Sequence, residues 1–162
     1  MSLRTGTKVA QTTTAIINPN NLKLEGFYCQ DSLEKNKNLI LLYKDIRDII
    51  PQGLVINDHD VLTEPGELIR LKDVINLDFN LIGKPVYSEN KQKLGKVNDY
   101  AVESASMFIQ KLYVSQSIIK NFSGGSLSID RSRIIEITSR KIVVKDLLGE
   151  ERANALAASP AT

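Results

Sequence analysis

The chain has 162 residues, a formal net charge of +2, an apolar fraction of 42% and a charged fraction of 25%. Those proportions belong to a folded protein rather than a disordered one, and the length suits one ordinary domain or two small ones. They leave no global electrostatic footprint for nucleic acid, and no apolar run approaches the ~20 residues of a membrane-spanning helix.

The opening "MSLRTGTKVAQ" has no apolar segment of signal-peptide length, and the single cysteine, Cys29, cannot close an internal disulfide. Both features predict a cytoplasmic, reducing setting. "AII" (15–17) and "LKLEGFYC" (22–29) read as extended segments, followed by the polar loop "QDSLEKNKN". "DIRDI" and "LVIND" follow, separated by "IPQG", where Pro51 and Gly53 supply the restricted and the permissive backbone of a tight turn.

"NDHDV" holds the only histidine, His59, between Asp58 and Asp60. Imidazole and carboxylate are both metal ligands. Adjacent residues of an extended chain, however, point to opposite sides, and no cluster of cysteine or histidine is available to complete a site. A polar turn is the simpler reading, and no metal is expected. In "TEPGELIRLKDVINLDF", Leu68, Ile69, Leu71, Val74, Ile75 and Leu77 recur at helical spacing behind Pro65, which predicts a helix over 67–77.

Beyond it, "KPVYS" and "KLGKV" flank the polar "ENKQ", a hairpin signal. "MFIQKLYVS" is another strand. "FSGGS" (122–126) lacks the lysine and the following helix of a phosphate loop, since the strand-like "SLSID" comes next, so it reads as a turn. "RIIEI" and "KIVVK" form a further hairpin across "TSR", and the alanine-rich tail frays toward Pro160.

The two halves repeat one apolar pattern. Ile134, Ile137, Ile142, Val143 and Val144 fall 88 positions after Ile46, Ile49, Leu54, Val55 and Ile56. "LKLEGFYC" lies 85 positions before "MFIQKLYV", pairing Phe27 with Leu112, Tyr28 with Tyr113 and Cys29 with Val114. The change of spacing falls in a polar loop, where length changes are tolerated. Two copies of about 65 residues are therefore predicted, each a set of short strands closed on itself to remove exposed edges.

"LIGKPVYSENKQKLGKVNDYAVE" (81–103) resembles the PRC-barrel family, through Gly83 and Val86, then Gly95 and Val97, then Asp99. The resemblance covers 81–146 well and 4–58 more weakly, through the repeat. It implies an all-β chain of two tandem small closed β-barrels of about six strands each, with a short helical connection. The expected boundaries are 1–64 for the first barrel, 65–79 for the helical linker, 80–148 for the second barrel and 149–162 for the tail. One departure stands out. At the 85-residue spacing Met1 falls opposite Val86, so the first strand of the first copy is missing or shortened. Either the chain is trimmed there, or a neighbouring segment or a second chain fills the edge, which allows a homo-oligomer.

Catalysis has no visible owner: no Ser-His-Asp constellation is plausible around His59, and nothing basic lies near Cys29 in sequence to activate it. No catalytic residue, cofactor or metal is assigned, and the chain is read as not an enzyme. Charge is uneven, with a net of −2 over 1–80 and +5 over 81–148. Lys91, Lys93 and Lys96 share one hairpin and are the candidate contacts for an anionic partner, phosphate of RNA or an anionic lipid surface. Edge protection and solubility are the simpler explanation of those lysines. The leading expectation is a non-enzymatic adaptor for protein–protein docking. The alternative is an RNA- or ribosome-associated factor using the basic second barrel. The family's ribosome-maturation factor and its reaction-centre subunit carry a companion domain or membrane anchor that has no counterpart here, so no functional residue is carried over.

Overall fold

The computed structural model describes residues 1–115 and 126–146. The "FSGGS" turn, apart from Ser126, and the tail expected over 149–162 lie outside the described residues. The described chain is mostly β and folds as two compact units, Met1–Phe79 with Glu103–Phe108, and Asn80–Val102 with the residues from Ile109 onward.

In the first unit, β1 (Ala10–Asn18), β2 (Lys23–Asp31) and β3 (Asn38–Leu42) form an antiparallel sheet in that order. A 3-10 turn at Tyr43–Asp45 leads into the hairpin of β4 (Ile46–Ile50) and β5 (Gly53–Ile56). β3, with its run Leu39-Ile40-Leu41, is buried on both faces. Leu39 and Leu41 join Cys29, Ile56 and Leu62 in the apolar core, while the Ile40 backbone exchanges two hydrogen bonds with Thr63.

The segment expected to be one helix is broken into pieces. A 3-10 turn at Pro65–Glu67 and another at Ile69–Leu71 precede the short α1 (Lys72–Asn76). Leu68 leaves helical geometry at φ −90° and ψ 71°, and no side chain caps the start of α1. Apolar spacing alone did not suffice, because Ile69 and Leu77 are exposed rather than packed on a core, and a short helix needs such packing to offset the cost of its first turn.

In the second unit, β6 (Pro85–Ser88), β7 (Lys93–Val102), β8 (Ile109–Ser115), β9 (Ser126–Asp130), β10 (Ile134–Ile137) and β11 (Ile142–Val144) form a six-stranded sheet. Its order is β10-β11-β6-β7-β8-β9. β6 is central, parallel to β11 and antiparallel to β7. One side of the strands, including Val86, Val97, Leu112, Ile129 and Ile142, is wholly buried. Among the described residues the strands are assigned to three sheets, and no hydrogen-bonded ladder closes on itself.

The same ladder pattern occurs within each unit. Thr12↔Cys29, Thr14↔Tyr28, Ala15↔Phe27, Ile16↔Gly26 and Ile17↔Leu24 recur 85 residues later as Val97↔Val114, Asp99↔Tyr113, Tyr100↔Leu112, Ala101↔Lys111 and Val102↔Ile109. Even the two breaks of register coincide, between Thr12 and Thr14 against Val97 and Asp99, and between Ile16 and Ile17 against Ala101 and Val102. The β4–β5 hairpin recurs 88 residues later as β10–β11, with its register break at Ile46/Asp48 repeated at Ile134/Glu136. Register breaks of this kind bend a strand at set points, so their repetition means the sheets curve alike. Among the described residues no helix is long and apolar enough to cross a membrane.

Candidate docking groove

The shared ladder makes a difference between the units visible. In the second unit β6 lies between β7 and β11, with Val86 paired to Gly95 on one side and to Ile142 on the other. The corresponding strands of the first unit are β1 and β5. Among the described residues only a short stretch lies on the side of β5 away from β4: Ser2 pairs in parallel with Ile56, the Ile56 amide donates to the Met1 carbonyl, and the Leu3 amide donates to the Ile56 carbonyl. Ser2 thus occupies the place of Ser88, and Met1 that of Tyr87. The sequence spacing had set Met1 opposite Val86; the shift of one arises in the following turn, closed by Ser2 to Thr7 in one unit and by Ser88 to Gln92 in the other.

Where residues 81–86 run in the second unit, the first unit has an open groove of about 480 Å³. It is lined by Met1, whose ammonium donates to the Leu54 carbonyl at 2.8 Å, by Lys8 to Thr12 and by Gln52 to Leu54, over Cys29, Leu41, Ile56 and Leu62 of the buried apolar core. Side chains facing it are less covered than their counterparts. Val97 is 1% exposed and Ile142 fully buried, whereas Thr12 is exposed and Leu54 half-buried. In the second unit Val97 donates its amide to the Lys84 carbonyl and accepts from the Gly83 amide. Thr12 holds the same ladder position, so its amide and carbonyl face the groove.

A polar network joins the N-terminal turn to the segment after β5 and to the end of β2. Ser2, buried, accepts through Oγ from the amides of Arg4 and Thr5 and bonds to Asp58 Oδ1 at 3.1 Å. Asp58 also accepts from the His59 amide and pairs with Arg4 at 3.1 Å, and those bonds hold its carboxyl below the usual range, the His59 amide first among them. His59 Nε2 lies 2.7 Å from Oδ2 of buried Asp31, whose Oδ1 accepts from the Leu33 amide. That amide, more than His59, lowers the Asp31 pKa against the opposing effect of burial. Sequence reading placed His59 in a polar turn and missed its partner, 28 residues away across the fold. No local signal announced it.

Among the described residues no group of three or more histidine, cysteine or acidic side chains is placed to hold a metal. Cys29 is buried on β2, and desolvation pushes its thiol pKa up, partly offset by the Leu41 amide. A raised pKa leaves little thiolate for nucleophilic chemistry.

The candidate lysines are placed as follows. Lys91 sits in the β6–β7 turn at φ 64°, and Lys93 and Lys96 are exposed on β7. The Leu94 bulge, between the Tyr87↔Lys93 and Val86↔Gly95 pairs, lets both strand lysines face outward. A second groove of about 530 Å³ takes Lys91 together with Arg140 and Lys141, but not Lys93 or Lys96, and Glu89 and Glu136 share its lining. Its charge is mixed, which blunts attraction for an anion. In comparison with known proteins, no family model matches this sequence, and no curated protein matches it.

Proposed function

We propose that this chain is a non-enzymatic protein-docking module made of two PRC-barrel-like units. Barrel-like closure is supported in the second unit by the three-residue 3-10 turn Arg131–Arg133, which joins the two edge strands β9 and β10 directly. The observation that carries the docking role is the groove of the first unit beside β1 and β5, where Thr12 is exposed and Leu54 half-buried. A sheet edge with unpaired backbone groups favours another strand, because strand pairing satisfies those groups.

The test compares affinity capture by the intact chain with capture by Thr12→Pro, which removes the groove-facing amide. A protein retained by the first and lost by the second supports docking through the groove. Equal recovery from both defeats it. The RNA or ribosome reading is separated by titrating structured RNA over a salt series. Steep salt-dependent binding lost on charge reversal at Lys91, Lys93 and Lys96 would replace the docking role. Light scattering over a concentration series distinguishes self-association, which the docking role does not predict.

A further inference from the structure

The second unit carries a groove of about 530 Å³ on the outer face of its sheet. Its floor follows from the register. Val143 pairs with Tyr87, both half-buried, while their inward neighbours Ile142 and Val86 are fully buried. Pro85 extends that apolar floor along β6. A tight turn stands at each end. At one, Thr138 Oγ1 accepts the amides of Arg140 and Lys141, and Lys84 Nζ donates to the Ser139 carbonyl at 2.7 Å. At the other, buried Ser88 accepts the Lys91 amide through its carbonyl and the Gln92 amide through its hydroxyl. Both turns are therefore fixed before anything binds, and each presents cations, Arg140 and Lys141 at one end and Lys91 at the other. All three residues are exposed, and among the described residues none makes an ion pair.

We propose that this groove is a second docking site, distinct from the one beside β1 and β5, and that its occupant is an extended segment of a partner protein. The segment carries a carboxylate at each end, four residues apart, with an apolar residue midway. That spacing is the length of the floor itself. Four residues, ~13 Å of extended chain, lead from Pro85 at the Lys141 end to Glu89 at the Lys91 end. Alternate residues of an extended segment point the same way, so the first, third and fifth face the groove together. The two carboxylates then meet the cationic turns, and the apolar side chain covers Tyr87 and Val143. Glu136 lies across from Val143 on β10, and Glu89 has one oxygen taken by the Asp146 amide. Glu136 opposes a chain charged at every unit, such as nucleic acid, or an anionic lipid surface, but not a peptide that is neutral along its middle. The charge pattern thus selects a protein segment over a polyanion, and the preset turns lower the ordering cost of binding.

The experiment follows the backbone amide shifts of the full chain by two-dimensional NMR while peptides are added. The probes are ETVTE and its rearrangement TEVET, both capped at their ends; in the second the same carboxylates stand two residues apart. ETVTE should shift the amides of Tyr87, Lys91, Lys141 and Val143. It should bind at least about 5-fold more tightly than TEVET, the scale of two exposed ion pairs. Lys91→Glu and Lys141→Glu should each weaken ETVTE about 3-fold without changing the far-ultraviolet circular dichroism, since both residues are exposed. Absent binding, equal affinity for the two peptides, or shifts confined to other residues overturns the proposal. Tighter binding of an oligouridylate of equal charge also overturns it, by making the site one for nucleic acid. So does ETVTE binding seen only after residues 147–162 are removed, which would assign the groove to the chain's own tail. The docking role of the first unit is judged separately, by the Thr12→Pro capture comparison, and outlasts failure here.

Discussion

Ser2 and Ser88 hold one structural position in two different units. Each is almost fully buried, at 1% and 2% exposure, and each pairs in parallel with the last residue of a hairpin strand, Ile56 or Val144. Each also caps the turn that follows, Ser88 by accepting from the Gln92 amide and Ser2 by accepting from Arg4 and Thr5. Ser2 makes more of these bonds, since its hydroxyl also reaches Asp58. Ser2→Ala should cost about 1–3 kcal/mol in urea unfolding and Ser88→Ala about 1 kcal/mol, because the alanine removes a buried hydroxyl that accepts these partly buried bonds. Equal losses would mean that the extra bonds of Ser2 contribute nothing.

Leu54 and Ile142 occupy matching ladder positions, one beside the open groove and one paired with Val86 of β6. Ile142→Ala should destabilise the second unit by about 2–5 kcal/mol, as a large-to-small change in a closed core. Leu54→Ala should cost clearly less, since half-buried Leu54 has less surface to lose. Chemical denaturation of the two variants checks the order.

The acid limb of stability should depend on Asp31. Its folded pKa lies below the ordinary carboxylate value, chiefly through the Leu33 amide. Its contribution is therefore complete above about pH 4 and is lost as pH falls through the lower, folded value. Asp31→Asn should flatten the decline of melting temperature below about pH 4 while lowering stability near neutrality. An unchanged acid limb would show that Asp31 does not govern it.

Gly95 has no room for a side chain. Its φ is 153°, and an added Cβ would run into the carbonyl oxygen of Ser115 on the neighbouring strand. Gly95→Ala should therefore destabilise the β7–β8 pair by more than about 3 kcal/mol, whereas Gly66→Ala, which meets open space, should be nearly neutral. Thermal melts of both variants suffice.

Much of this architecture was legible in the sequence. The apolar offsets of 85 and 88 are those of the strand ladders, because buried positions such as Leu41 and Ile129 or Ile56 and Val144 must keep their alternation to stay inside. Pro51 and Gly53 likewise marked the β4–β5 turn. The counterpart of Met1 was set at Val86 rather than Tyr87, off by one, because turn length leaves no periodic trace. The linker misled for a related reason. Leu68 to Leu77 have helical spacing, yet spacing cannot say whether Ile69 meets a core. The Asp31–His59 pair and the groove floor were beyond reach, since both join residues from distant strands.

The most direct measurement is amide hydrogen exchange at Thr12 and Val97. Val97 is bonded to Lys84 at 3.0 Å, and Thr12 has the same ladder position beside the groove. The account predicts slow exchange at Val97 and fast exchange at Thr12. Thr12 as protected as Val97 in the chain alone would contradict it.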